Sequence, residues 1–265
     1  MISAHDPFGT LAEQYASGRP GYPVDLFTAL RDRTATLEFG TASAILDIGA
    51  GTGIATRMLR AAFDAAILVA AVEPSATMID AARRTTPPAS EISWVRGSAE
   101  SLPFTTSCAQ VVLAAQAVQW FDRPAFYTEA VRVLRPGGIL VVLQNNREWQ
   151  RSEFLNAYET LLEQYSPGYS RFYRSFDVLA EFRQMSGLTP PERLECRWVR
   201  TVTNSEFVGL SLSSTKMKAA IDHVGSELMR AELDRLISSH ANAGNEVAIP
   251  YVSELFIGRR SDHCS

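Results

Sequence analysis

The sequence predicts an α/β fold: a parallel sheet with helices packed on both faces. Three observations lead there. Between residues 44 and 145, short apolar segments alternate with segments of helical periodicity. Two apolar runs, 65–72 and 111–118, are about 8 residues long, which suits strands buried on both faces and falls far below the roughly 20 residues needed to cross a bilayer. Hydrophobic residues make up 46% of the 265 and charged residues 20%, enough for a large core. Strand–helix alternation at this spacing implies right-handed crossovers.

In chain order, residues 7–33 read as two helices, with Pro23 at a helix start and Leu26, Phe27 and Leu30 at helical spacing. Residues 44–48 are a short strand, 52–63 a helix opening from glycines, 66–73 a second strand, and 75–84 a helix with Ser75 as its cap. Strands follow at 92–95 and 111–115. The segment 123–134 is a helix with Pro124 in its first turn, ended by Arg135-Pro136-Gly137-Gly138, and 139–143 is the fifth strand. Beyond 145 the pattern changes: 151–185 helical, 192–202 a strand, 205–239 helical, 246–258 a final strand. No Ser/Gly linker divides the chain. The expected organisation is one domain over 1–265, with an N-terminal helical flap (1–35), a ligand-binding core (40–145), helical cap segments (146–190 and 204–242) and C-terminal strands (192–202 and 246–259).

Composition excludes several classes. The net charge is −4 and no Lys/Arg block stands out, which argues against nucleic acid as a partner. The three cysteines, Cys108, Cys196 and Cys264, are far apart and match neither metal-ligand spacing nor a disulfide framework. The N-terminal residues lack a basic region and an apolar run. A cytoplasmic protein without metal or membrane attachment is expected, as a monomer or homodimer.

The most informative stretch is Asp47-Ile48-Gly49-Ala50-Gly51-Thr52-Gly53. A strand runs into glycines at alternate positions and then a helix, so backbone can pass close to a ligand and unpaired N–H groups face it. Glu73 ends the next strand, twenty residues past Gly53, where a carboxylate can accept from both ribose hydroxyls. A dinucleotide site requires Gly-x-Gly-x-x-Gly, whereas position 54 is Ile. Asp47 would repel a pyrophosphate and favour a cationic group. The ligand expected is ribose-bearing and net cationic or zwitterionic.

This loop resembles motif I of class I S-adenosylmethionine-dependent methyltransferases. Three further segments stand in that family's order: Val72-Glu73-Pro74-Ser75-Ala76-Thr77-Met78-Ile79, Arg96-Gly97-Ser98-Ala99-Glu100-Ser101-Leu102-Pro103-Phe104, and Leu134-Arg135-Pro136-Gly137-Gly138. Together they cover roughly residues 40–145. Phe8, Tyr15, Arg19-Pro20-Gly21-Tyr22-Pro23 and Gln119-Trp120-Phe121-Asp122 are similar to the small-molecule branch that includes the fungal trans-aconitate methyltransferases. Several members of that branch have His before the Trp; here the residue is Gln119. The resemblance implies a Rossmann-like, mostly parallel seven-stranded sheet with the last strand antiparallel, and S-adenosyl-L-methionine as cofactor.

By that resemblance Gly49, Gly51 and Gly53 would wrap the methionine part, Asp47 would orient the loop, and Glu73 would hold the ribose. Pro74, Ser75 and Met78 would line the adenine, with Ser98, Ala99 and Glu100 at its edge. Gln116 would sit near the methionine moiety, Arg19 would pair with its carboxylate and Tyr15 would cover the sulfonium. Bland alternatives stand beside these: core packing for Met78, a surface ion pair for Arg19, a packed helix residue for Tyr15 and a helix cap for Asp122.

The sequence has no Asn/Asp-Pro-Pro-Tyr segment after the fourth strand, where Ala114-Ala115-Gln116 stands, and no Pro-Cys pair there. Nucleobase amino methylation, protein glutamine methylation and cytosine C5 chemistry are therefore disfavoured. Gln119 and Trp120 are the candidates beside the reacting atoms; His223 is either a base or a solvated helix histidine. Trp120, Phe121, Trp149, Tyr165, Tyr169, Phe172 and Tyr173, with Arg171 and Arg174, are candidates to meet a small-molecule acceptor, oxygen of an acid or hydroxyl being favoured over nitrogen or carbon. The aromatics equally suit plain cap packing. The other functional readings are a non-catalytic S-adenosylmethionine-binding module and a nucleotide-dependent oxidoreductase.

Overall fold

Ala44–Ile48 forms β1, buried at all five positions, as a strand covered on both faces must be. This computed structural model describes residues 20–35, 37 and 44–261. Ahead of β1 lies α1 (Val24–Arg33), which buries Leu26, Phe27 and Leu30 along one stripe. After it come α2 (Ile54–Ala62), β2 (Leu68–Glu73), α3 (Ala76–Thr85), β3 (Ile92–Arg96) and β4 (Ala109–Ala115). Ser75 caps α3, its Oγ accepting from the Met78 N–H at 3.3 Å. Asp122 caps α4 (Arg123–Val133) through the Ala125 N–H at 3.2 Å.

Next are β5 (Leu134–Arg147), α5 (Glu153–Tyr165), α6 (Val178–Gln184) and β6 (Glu192–Thr203). The chain continues through α7 (Asn204–Leu212), α8 (Thr215–Val224), α9 (Ser226–His240) and β7 (Glu246–Arg259). Among the described residues no helix is long and apolar enough to cross a membrane.

The seven strands form one sheet in the order β3-β2-β1-β4-β5-β7-β6. The β1·β2, β1·β4, β2·β3 and β4·β5 pairs are parallel. β7 runs the other way. Gly137 N–H donates to the Arg260 carbonyl at 3.0 Å and Arg260 N–H returns to Gly138 at 2.7 Å, while beyond the far end of β5 Glu148 N–H meets the Pro250 carbonyl at 2.9 Å. The strand order reverses between β1 and β4, the place where open α/β sheets present ligands at their strand C-termini.

Three expectations are corrected. Arg135-Pro136-Gly137-Gly138 do not follow the helix as a turn but open β5, because the Gly137 N–H and Gly138 carbonyl pair with Arg260. The stretch 151–185 is not one helical segment: α5 and α6 are separated at 166–177, where Pro167 and Gly168, at φ +72°, interrupt it. The stretch 205–239 is three helices, broken where Ser214 caps α8 and where Gly225 takes φ +92°.

The described chain folds as two compact units. One is built from residues 21–145, 176–196 and 253–261. Its strand residues alternate between two cores, as the twofold period of a strand requires. Leu46, Ile48, Val112 and Val142 join Phe126 and Phe182 of α4 and α6, and Ile45, Val111 and Val141 join Leu30 and Leu59 of α1 and α2. The other is built from 146–175 and 197–252 and has its own helical core around Tyr158, Phe207, Met217, Leu233 and Ile249.

Candidate functional site

β1 delivers Asp47 and the turn 49–53 to the C-terminal edge of the sheet, at the strand-order reversal. The turn is tied down by β2: the Gly49 and Ala50 N–H groups both donate to the Val72 carbonyl, at 2.8 and 3.1 Å. Its glycines serve different ends. A Cβ on Gly49 would lie 2.7 Å from Ala117 Cβ and 2.8 Å from Phe121 Cζ, so close approach of the 117–121 segment excludes one. A Cβ on Gly53 would lie 2.4 Å from Trp94 Cη2, a clash with the edge of the indole. A Cβ on Gly51 would meet nothing within 4 Å, so the space above Gly51 is open, although its φ of +56° still disfavours a side chain.

Glu73, at the tip of β2, is 8% exposed. Its Oε2 accepts from the Gly51 N–H at 2.9 Å and its Oε1 from the Ser75 N–H at 3.0 Å. One carboxylate thus fixes both the glycine turn and the start of α3. Asp47 is fully buried. Its Oδ2 accepts from Thr56 Oγ1 at 2.5 Å, and its Oδ1 has no hydrogen-bond partner. Burial raises its pKa to about 7; the Thr56 hydroxyl opposes the rise and the negative Glu73 adds to it.

At the end of β4, Gln116 adopts φ +53°, a conformation rare for a side chain of this kind and frequent at functional sites. Its N–H donates to the Leu143 carbonyl at 2.8 Å, its Nε2 to the Asn145 carbonyl, and its Oε1 is buried without a partner. Thr52 Oγ1 is likewise buried and unpartnered. Gln119 Nε2 donates to the Gln116 carbonyl at 2.7 Å, and Trp120 stands 55% exposed.

The remaining candidates of this unit follow β2 and β3. Met78 is 3% exposed and Ala99 5%. Pro74 is exposed, and its carbonyl accepts from Arg96 Nε at 3.2 Å. Ser98 bridges to Ser101. Glu100 Oε1 accepts the Asp122 N–H at 3.1 Å, tying this loop to the start of α4. All the described cofactor candidates, with Gln119 and Trp120, belong to the sheet unit. Tyr15 and Arg19 lie outside the described residues. His223 is an exposed residue of α8 in the helical unit.

In that helical unit, Arg171 has its donors occupied by this chain. It pairs with Glu163 at 2.9 and 2.7 Å, Asn156 Oδ1 at 2.7 Å and Thr160 Oγ1 at 2.8 Å. Tyr169 donates its hydroxyl to Glu159 at 2.5 Å, and Trp149 meets Phe172 edge-on. Thr52, Thr56 and Asn145 contribute to the sheet-unit site without having been expected there. Thr56 stands in the first turn of α2 and Thr52 in the turn before it, and neither carried a sequence signal.

Residues 46–142 match the family of methyltransferase domains. Over 249 residues the chain is 28% identical to an uncharacterised methyltransferase of Mycobacterium tuberculosis, covering 93% of this chain and 92% of that one. Over 98 residues it is 41% identical to a malonyl-[acyl-carrier protein] O-methyltransferase of Hahella chejuensis, covering 37% and 34%. Among solved structures it resembles a protein of Anaeromyxobacter dehalogenans provisionally described as a type II methyltransferase, at TM-score 0.65 and 23% identity over 92% of this chain and 99% of that one. It also resembles phosphoethanolamine N-methyltransferase 2 of Haemonchus contortus in complex with S-adenosyl-L-methionine, at TM-score 0.51 and 17% identity over 98% and 58%.

Proposed function

We propose that this chain, a class I S-adenosylmethionine-dependent methyltransferase, moves the methyl group to a small-molecule acceptor by in-line displacement. The oxygen of a carboxylate or hydroxyl is the favoured nucleophile, ahead of nitrogen or carbon. Within the class we place it with the branch that includes the fungal trans-aconitate methyltransferases, on its Arg19-Pro20-Gly21-Tyr22-Pro23 and Gln119-Trp120 segments. We also assign it to the reducing cytosol, as its cysteine spacing suggests.

One arrangement carries the reading: the Glu73 carboxylate braced on the Gly51 N–H, below open space, with Asp47 Oδ1 and Gln116 Oε1 left as unpartnered acceptors. Such buried acceptors without partners are costly and mark a place meant for a donor. An adenosyl methyl donor brings several: two ribose hydroxyls and an ammonium group. Glu73, which accepts from the Gly51 and Ser75 N–H groups, would also accept from a ribose hydroxyl. Asp47 and Gln116 would serve the methionine end. Met78 and Pro74 would flank the adenine, and the free Oε2 of Glu100 would accept from its amino group.

When bound, S-adenosylmethionine supplies a methyl carbon already activated by a sulfonium. Positioning alone can then lower the barrier by roughly 7–11 kcal/mol, so the residues need to align rather than activate. Gln119, Trp120 and His223 are our candidates for contact with the acceptor, His223 as a base where the acceptor must lose a proton. The −4 net charge and the missing nucleobase motifs favour a small molecule over nucleic acid. The O-methyltransferase relative supports oxygen as nucleophile.

Calorimetry with S-adenosylhomocysteine and with NAD tests the donor. Binding of the former alone supports the reading; binding of NAD alone overturns it.

A further inference from the structure

We propose that β6 is an interface for a second copy of this chain. Two β6 strands pair antiparallel about a twofold axis through Cys196, which carries the sheet of one protomer on into its partner.

β6 closes one end of the strand order, with a strand neighbour on one side only. Such an edge offers a row of backbone N–H and C=O groups to another strand. Proteins commonly keep their edge strands short, and β3 at the opposite end has 5 residues. β6 has 12, with no proline among them. Its burial alternates without a break from Arg193 to Thr203, the mark of a straight strand free of bulges. Val199 stands 60% exposed among the charged residues of the strand.

The charge pattern selects the partner. The charged residues of β6 are Glu192, Arg193, Glu195, Arg197 and Arg200. With Cys196 opposite the partner's Cys196, Glu195 faces the partner's Arg197 and Glu192 faces the partner's Arg200. Twofold symmetry repeats each pair. Every other antiparallel register of these residues gives fewer unlike pairs or sets like charges against each other; a slip of one residue brings Arg193 against the partner's Arg200 or Glu195 against the partner's Cys196. Unlike charges directly opposite are favourable and like charges are not. The apolar residues match as well: Leu194 faces the partner's Trp198, and Val199 lies against the aliphatic stem of the partner's Arg193.

The charges also have partners within the chain, which the dimer leaves in place. Arg193 Nη2 donates to Glu195 Oε2 at 2.7 Å, Arg197 Nε to Glu148 at 3.0 Å, and Glu192 holds Arg33 at 2.6 Å. A carboxylate takes further donors and a guanidinium further acceptors. The side chains of Glu195 and Arg197 remain 35% and 50% exposed, within reach of a partner. Ion pairs of this kind fix the register, and the backbone ladder supplies the attraction.

The test is sedimentation velocity of the full chain over a concentration series. Wild type should form a dimer. Cys196 is free and half-buried, and a short bismaleimide should cross-link the dimer through it, a product that Cys196→Ser loses. Glu195→Arg sets Arg against Arg, and Arg197→Glu sets Glu against Glu. Each alone should raise the dimer dissociation constant about tenfold or more. Mixing the two variants opposes unlike charges at both positions and should restore the dimer. Lost in-chain pairs are the same in the separate and the mixed samples, so recovery on mixing reads the interface alone. Circular dichroism checks that each variant is folded.

A monomeric wild type, a dimer that neither variant weakens, a cross-link that survives Cys196→Ser, or no recovery on mixing overturns the interface. Should a variant fail to fold, the Cys196 cross-link of the wild type decides. None of these readouts depends on methyl-donor binding.

Discussion

The Gly51 N–H donates to the Glu73 carboxylate across 2.9 Å, joining the turn after β1 to the tip of β2. The acid that is proposed to meet the ribose therefore also holds the loop that lies beside it. Loop order and ligand affinity are coupled through one side chain.

Removing that side chain should weaken the ligand without unfolding the chain. Glu73→Ala is expected to cost about 1–3 kcal/mol of S-adenosylhomocysteine affinity through lost charged hydrogen bonds. Glu73→Gln should lie between the two, because one amide oxygen can still accept. Isothermal calorimetry on the three proteins reads this directly, and equal affinities would remove Glu73 from the site.

Gly51 and Gly53 should respond in opposite ways. Gly51→Val puts its side chain into open space and should abolish S-adenosylhomocysteine binding while the protein stays folded. Its left-handed φ makes some loss of stability, of order 1 kcal/mol, unavoidable. Gly53→Ala drives a methyl group against the edge of the Trp94 indole, so its effect should appear chiefly as a lower melting temperature. Thermal melts with and without ligand separate the two.

The buried Asp47 should impose a pH dependence on stability. Its folded pKa is raised from 3.8 to about 7, so the native state holds this proton where the unfolded chain has released it. The contribution is favourable below about pH 4, falls as pH rises towards 7, and is lost above. Asp47→Asn lacks this slope. Urea melts from pH 4.5 to 8.5 should show the variant gaining on wild type up to about pH 7 and holding a constant difference beyond. Parallel pH curves would mean that Asp47 titrates normally.

Trp120 should divide activity from stability. At 55% exposure it contributes little to the core, and Trp120→Ala is expected to shift stability by less than about 1 kcal/mol. S-adenosylhomocysteine affinity should stay within about twofold. Methyl transfer from labelled S-adenosylmethionine into a small-molecule extract should fall. Full transfer by the variant would exclude Trp120 from acceptor contact.

The elements between residues 44 and 133 were legible because each is decided locally. β1 is an uninterrupted apolar run, α3 and α4 announce themselves by Ser75 and by Asp122 with Pro124, and the glycine turn is set by its own backbone demands. What escaped depends on partners far along the chain. Gly137 and Gly138 read as a turn until Arg260 pairs with them. Arg171 and Arg174 look alike in sequence, yet Glu163, Asn156 and Thr160 consume the first and not the second. Asn145 likewise meets Gln116 only across neighbouring strands.

The Asn204 N–H donates to the Asn245 carbonyl at 3.2 Å, and their side chains bond at 2.6 Å. The whole stretch bearing α7, α8 and α9 therefore departs and returns through one clasp at the foot of a hairpin. Insertions, deletions or wholesale grafts within it need not disturb strand registry, since both ends are fixed before any of its contents are chosen.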